Sequence, residues 1–386
     1  MKKLVSAMLM LVLASPLFAN PDLNVSLQTA ALGYPYTQPF KVYVTFNEPV
    51  TGFDETLVNI VNASITNTQN ISQTSFVLSI TPTMPGPITL FIPANLVKSL
   101  ATGSSNHASN KLNIMALDPI LNPSSNFDLS TWTLTLPLDL GDIGNAISIG
   151  TATLVGYPSL NTGYSNPPYF FTDTVTGSMN FFAPLDGATT PNSVFPLSEL
   201  SEVVPGPTPA TWTLNAYESN SLTASVLVTQ VPPGKRIILG KIQDKGTSDA
   251  SGLAMPKKAL VKLFYDLNPL DPNGKPCNGC IYARIRPVPA QDTVLKTVTL
   301  ANNTPLNKLF IYRITLLRDG TLTVKINRTS TTYDLNTSTD NTVGWGTQQL
   351  FFKAGVYVPE SGTSDSIGGA AKFYSLQIKH VGCPQA

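Results

Sequence analysis

Strand signals dominate the chain from residue 20 onward. In 40-FKVYVTF-46, Phe40, Val42, Val44 and Phe46 alternate with Lys41, Tyr43 and Thr45, the pattern of a strand with one buried face. The stretches 76-FVLSI-80 and 88-ITLFI-92 repeat it, and 84-MPGP-87 predicts the turn between them. Further on, 131-TWTLTLPL-138 puts Trp132, Leu134 and Leu136 on one side. The segment 311-IYRITLLRDGTLTVKI-326 reads as a hairpin closed at Asp319-Gly320. No internal repeat and no coiled-coil heptad interrupts this pattern. The expectation is an all-β protein in two units, a sandwich over residues 20–118 and one large sandwich over 127–386. A Pro- and Asn-bearing joint, 118-DPILNPSSN-126, supplies a linker at 119–126.

The same alternation sorts candidate chemistry onto faces. In 350-LFFKAGVY-357 the even positions Phe352, Ala354 and Val356 point to the core, so Phe351, Lys353, Gly355 and Tyr357 face the other way. In 237-IILGKIQ-243, Lys241 and Gln243 share a face and Ile242 takes the opposite one. In 197-LSELS-201, Leu197, Glu199 and Ser201 share a face.

Composition narrows the setting. Charged residues are 12% of the chain, well below the usual quarter. That surface excludes nucleic acid as a partner, because phosphate binding rests on clustered Lys and Arg. The first nineteen residues, MKKLVSAMLMLVLASPLFA, combine two lysines, a short apolar run and a small residue at Ala19. This is the layout of a secretory signal peptide, and the run is too short for a membrane span. Without Lys2 and Lys3 the formal charge goes from +1 to −1. The expected mature protein is exported, extracellular rather than periplasmic, with no membrane span. Three cysteines, Cys277, Cys280 and Cys383, are candidates for one structural disulfide in an oxidising compartment, and spacing does not choose the pair. A zinc site needs four Cys or His ligands, and His107 and His380 lie far apart, so no metal and no cofactor is expected.

Residues 20–118 resemble the bacterial Ig-like domains of surface proteins. Their "V-x-F-x-E-P-V-T-G-F" segment is matched by 44-VTFNEPVTGF-53, and a second segment more loosely by 80-ITPTMPGPITLFIPA-94. The resemblance implies a spacer or adhesive unit, with a host or cell-surface partner as one outcome.

Residues 127–386 resemble the alginate lyase 2 family, the concanavalin-like jelly-roll lyases of polysaccharide lyase family 7. The segments that carry this are 127-FDLSTWTLTLPLD-139, 179-MNFFAPLDGATTPNSVFPLSELSE-202, 237-IILGKIQ-243, 350-LFFKAGVY-357 and 373-FYSLQIKH-380, in the family's order. The family breaks uronic-acid glycosides by β-elimination, which needs a base for the C5 proton, a group to neutralise the neighbouring carboxylate and an acid for the leaving oxygen. The resemblance implies a cleft with Arg from "R-S-E-L-R", Gln and His from "Q-I-H" and Tyr from "K-A-G-x-Y". Here the arginines are replaced by Leu197 and Ser201, the Gln by Lys241 and the His by Gln243, while Tyr357 remains. Without the His, no side chain at these positions has an ordinary pKa near neutrality.

Two uses of such a cleft follow. One is a catalytically impaired protein that binds an anionic extracellular polysaccharide through Glu199, Lys241, Gln243, Phe351, Lys353 and Tyr357. Sugar rings stack on aromatic faces and bond to fixed polar groups, and Lys245, Lys257, Lys258 and Lys262 add positive charge nearby. The other is an active uronate lyase in which Tyr357 serves as base and acid. That use requires Lys241 to neutralise the carboxylate and lower the Tyr357 pKa. His380, at the end of the last strand, is expected to be structural.

Overall fold

The computed structural model of the chain describes residues 22–141, 144–191, 193–204, 211–246, 258–290, 293–339 and 344–382. Residues 1–19, expected from sequence to be a signal peptide, Lys257 and Cys383 lie outside them. Residues 25–117 form two four-stranded sheets packed face to face. One runs in the order Val25–Thr29, Phe40–Phe46, Ser75–Pro82, Ala63–Ser72, and the other in the order Gly33–Pro35, Leu112–Leu117, Gly86–Phe91, Asn59–Val61. Phe40–Phe46 alternates buried and exposed along its length, and Val42, Val44, Leu78, Ile80, Ile88 and Leu90 fill the space between the sheets.

The larger unit is a second sandwich. Its first sheet contains β1 (Trp132–Leu136), β2 (Ile147–Ile149), β3 (Leu197–Glu202), β4 (Arg236–Asp244), β5 (Ala259–Asp266), β6 (Cys280–Ile285), β7 (Lys296–Ala301) and β8 (Leu350–Tyr357), in the spatial order β2-β1-β3-β8-β4-β5-β6-β7. The facing sheet has seven strands, in the order Phe170–Thr172, Met179–Pro184, Gly368–Val381, Ser219–Gln230, Phe310–Leu317, Thr321–Ile326, Thr329–Asp334. Leu134, Leu200, Val261 and Phe352 meet Leu222, Val226, Ile314 and Phe373 in one core. Each such side chain contributes about 1.5–3 kcal/mol by leaving water. The hairpin at Asp319-Gly320 closes as its sequence predicts. Gly320 adopts φ +87°, a left-handed conformation that glycine takes without steric cost, and the Asp319 carboxylate accepts the Thr321 N–H. The two sandwiches touch: Leu32 N–H donates to Ser225 Oγ at 2.8 Å, and a Cβ on Gly33 would fall 1.5 Å from the Tyr374 carbonyl oxygen.

One irregularity in β4 decides where the candidate residues point. The register of β4 against both β5 and β8 slips between Ile238 and Gly240, a β-bulge. Leu239 lies in the core. Gly240 also faces the core, since a Cβ there would stand 3.0 Å from Tyr312 Oη. Tyr312 Oη donates to the Leu239 carbonyl at 3.2 Å. Two successive inward residues reverse the phase of the strand, so Lys241 and Gln243 emerge on the outer face together with Ile238.

Candidate functional site

A cleft of about 520 Å3 lies on the outer face of the eight-stranded sheet. β8 supplies Phe351, Lys353 and Tyr357, while Phe352, Ala354 and Val356 are buried on the core side. β4 supplies Lys241 and Gln243, β3 supplies Leu197 and Ser201, and β5 supplies Lys262. Lys258, just before β5, and Arg284 and Arg286, at the end of β6, complete its positive side. Six of the chain's 24 Lys and Arg residues thus line one cleft, and among the described residues no Asp or Glu lines it.

The counter-charge lies beneath the floor. Glu199 is 1% exposed, and its two oxygens pair with Lys241 Nζ at 2.7 Å and Lys353 Nζ at 2.5 Å. Burial alone would raise the Glu199 carboxyl, but the two ammonium groups hold it below the ordinary value. Lys241 goes the other way. Burial drives its pKa down to about 7, and Lys353 adds to the fall, against the pull of Glu199. Burial also lowers Lys262, with Arg286 and Arg284 contributing and Glu199 opposing. Lys241 Nζ lies 4.3 Å from the centroid of the Tyr357 ring, a cation–π contact. Tyr357 is raised, first by burial and further by the charge of Glu199, with a hydrogen bond to Ser193 opposing. The phenol therefore keeps its proton in the free cleft, and the lowering of its pKa that a Tyr-only mechanism requires is not found. Arg284 lies over Phe264 and Tyr282, 5.1 and 5.7 Å from their centroids. Those two rings stack on each other at 5.0 Å.

Of the residues singled out from sequence, Lys241, Gln243, Phe351, Lys353 and Tyr357 are brought together in the cleft, with Leu197 and Ser201 where the resemblance puts arginines. Glu199 does not line it: the carboxylate is buried under the two lysines and is their counter-ion rather than a surface for ligand. In the lysine group, Lys258 and Lys262 line the cleft, whereas Lys245 is exposed outside it. His380 lies on the seven-stranded sheet, 2.6 Å from Asn220 Oδ1 and 2.6 Å from Glu202 Oε1. Glu202 Oε2 in turn accepts the Trp212 indole N–H and the Phe352 N–H, so His380 belongs to a structural network away from Tyr357. His107 is exposed beside Asp22. Cys277 and Cys280 form a disulfide at the entry to β6. Sequence reasoning missed Arg284 and Arg286. Their signal was present in 280-CIYARIR-286, where Ile281, Ala283 and Ile285 alternate with Tyr282, Arg284 and Arg286.

Chemically, the arrangement offers strong positive charge, an aromatic side chain that retains its proton and an amine poised to lose one near neutrality. Two packed antiparallel sheets with such a cleft on one outer face place the unit among the jelly-roll polysaccharide lyases. Residues 127–380 match the alginate lyase 2 family, whose members are described as alginate lyase. An alginate lyase of Klebsiella pneumoniae is 26% identical over 306 residues, covering 67% of this chain and 91% of that protein. The crystal structure of an alginate lyase from Pseudomonas aeruginosa is 31% identical, with a TM-score of 0.52 over 66% of this chain and 99% of that one. The alginate lyase A1-II′, a member of polysaccharide lyase family 7, is 28% identical, with a TM-score of 0.52 over 67% of this chain and 99% of that one. The chain belongs to the alginate lyase 2 family.

Proposed function

We propose that the protein binds an anionic extracellular polysaccharide, of the polyuronate class, on a lyase scaffold whose elimination chemistry is impaired. One observation carries the reading: six cationic side chains line the cleft, no carboxylate does among the described residues, and Glu199 beneath the floor is buried and already paired with two of them. A linear polyuronate places negative charge over these cations and its ring faces suit Phe351 and Tyr357. Gln243 has no proton-transfer capacity, and Tyr357 holds its proton, so the groups for removing a C5 proton are weak. On the same reading residues 20–118 are an Ig-like spacer or adhesive unit on a secreted chain.

Lys241 favours a second reading, an active uronate lyase. Its amine, with a pKa of about 7, would take the C5 proton. The freed electron pair forms the C4–C5 double bond, the C4–O bond breaks, and Tyr357 gives its proton to the departing oxygen. A proton passing from Lys241 to Tyr357 then restores both groups. Here Lys241 is the base and Tyr357 the acid, unlike the Tyr-only scheme.

Calorimetric titration with polymannuronate, polyguluronate and glucuronan, alongside a neutral glucan, tests the binding. Saturable binding of at least one uronate polymer and none of the glucan is expected, and equal or absent binding of all four overturns it. Ultraviolet absorbance of the unsaturated uronate is followed on the same samples. A flat trace supports impairment. A rising trace that disappears in both Lys241→Gln and Tyr357→Phe establishes the second reading instead.

A further inference from the structure

The strand register aligns the cations of the cleft in a way their positions in the chain conceal. Lys353 on β8 is opposite Lys241 on β4, Lys241 is opposite Lys262 on β5, and Lys262 is opposite Arg284 on β6. The result is a single row of four cations, one on each of four adjacent strands, perpendicular to the strand direction. The row ends in hydroxyls, with Ser201 opposite Lys353 and Thr297 opposite Arg284.

Such a row is unfavourable by itself. Like charges directly opposite each other on neighbouring strands repel, and only Lys241 and Lys353 have Glu199 between them. Lys262 and Arg284 stand at the far end of the row, with Arg284 held over two stacked rings rather than beside an acid. The spacing, however, is regular. Neighbouring strands are about 4.8 Å apart, so the four positions span roughly 14 Å. A pyranose chain linked through its 1 and 4 positions advances by close to one strand spacing per sugar.

We infer that this row is a register for a linear acidic polysaccharide lying across the strands, with one sugar over each of β8, β4, β5 and β6. The inference rests on the reading that the cleft binds polyuronate, and it adds the direction, the length and the residues that count the sugars. A chain in this position has at least two of its carboxylates over the row whichever way they alternate. The site is complete at four sugars, and the residue that engages the last of them is Arg284.

Calorimetry with uronate oligomers of two to six sugars tests this on the full chain. The expected affinity rises with each sugar up to four and then stays level. Arg284→Gln should remove the gain from the fourth sugar, roughly tenfold for one charge-assisted contact. Lys262→Gln, which leaves the Phe264 and Tyr282 stack covered, should remove the gain from the third. Lys325→Gln, exposed on the opposite sheet, should change nothing. Polyglutamate of equal charge should bind more weakly, because its side chains do not repeat at the strand spacing. Binding that is level from the dimer onward, equal losses in all three variants, or equal affinity for polyglutamate overturns the register while leaving polyuronate binding intact. No binding of any oligomer or polymer overturns both.

Discussion

Raising the pH through neutrality should weaken polyuronate binding, and Lys241 sets where this begins. Its side chain is 5% exposed, and burial brings its pKa to about 7 even with Glu199 at 2.7 Å. Below that value the amine is charged in the free protein and this group gives no pH dependence. Above it the free amine loses its proton. A bound carboxylate adds negative charge above Lys241 and raises its pKa in the complex, so binding takes up a proton. Affinity should then fall by up to about tenfold per pH unit, about 1.4 kcal/mol, until the pKa of the complex is reached. The groups that face Lys241 do not cancel this. Tyr357 is raised and stays neutral, and Lys262, lowered by burial, extends the loss in the same direction. Calorimetry between about pH 6 and pH 9, in two buffers of different ionisation enthalpy, measures affinity and proton uptake together. Lys241→Arg should remove the part of the fall that begins near neutrality. Unchanged affinity across that range, with no proton uptake, would show that Lys241 is not a cation facing the ligand.

Three further substitutions probe the scaffold under the cleft. Glu199→Gln leaves the buried Lys241 and the partly buried Lys353 without their counter-ion and should cost about 3–5 kcal/mol. A denaturant titration showing a loss below about 1 kcal/mol would mean that water already solvates the lysines. The linkage has a definite sign: because the folded pKa of Glu199 is depressed, its stabilisation is present above the ordinary carboxylate pKa and is lost as pH falls through the folded value. Gly240→Ala places a methyl 3.0 Å from Tyr312 Oη and should cost about 1–3 kcal/mol by overpacking, with loss of oligosaccharide binding as the bulge re-forms out of phase; stability and affinity equal to the parent would dissociate the bulge from the aim of Lys241. Phe352→Ala empties a fully buried position against Trp212 and should lower stability by about 3–5 kcal/mol in the same titration.

How much of this was legible in the sequence depends on whether a feature is local. The faces of 40-FKVYVTF-46 and 350-LFFKAGVY-357 could be read directly, because alternation is a property of the strand alone. Placing Lys241 and Gln243 opposite Ile242 was also correct, yet strict alternation from Ile237 would have buried Lys241. The phase reverses at the bulge, and Gly240 was the one trace of it in the sequence. Glu199 was assigned to the right face, but alternation could not show that two lysines from neighbouring strands would cover it. Arg284 and Arg286 were overlooked although their strand alternates clearly, because no local pattern says that β6 lies two strands from β4. Register is a relation between strands, and it is where sequence reasoning lost the site.

The register also explains why missing arginines need not mean a missing anion site. The family resemblance puts two arginines at positions 197 and 201 on β3. Here β3 presents Leu197 and Ser201, and the cations stand on β8, β4, β5 and β6 instead. Positive charge has not vanished from the cleft: Lys353 shares β8 with Tyr357 and Lys241 Nζ lies 4.3 Å from its ring centroid, while Lys262 and Arg284 are offset to one side by two and three strands, or about 10–15 Å. Elimination requires the group that neutralises the carboxylate and the group that handles the C5 proton to converge on one sugar. A chain drawn toward Lys262 and Arg284 has most of its carboxylates held away from Tyr357. On this reading the displacement of charge along the register, more than the loss of any single residue, separates holding a polyuronate from cutting it. Moving charge back, with Ser201→Arg and Arg284→Gln together, is the direct test: elimination should appear or increase while affinity for long oligomers falls, and a double variant that binds as before without any change in elimination would refute the argument.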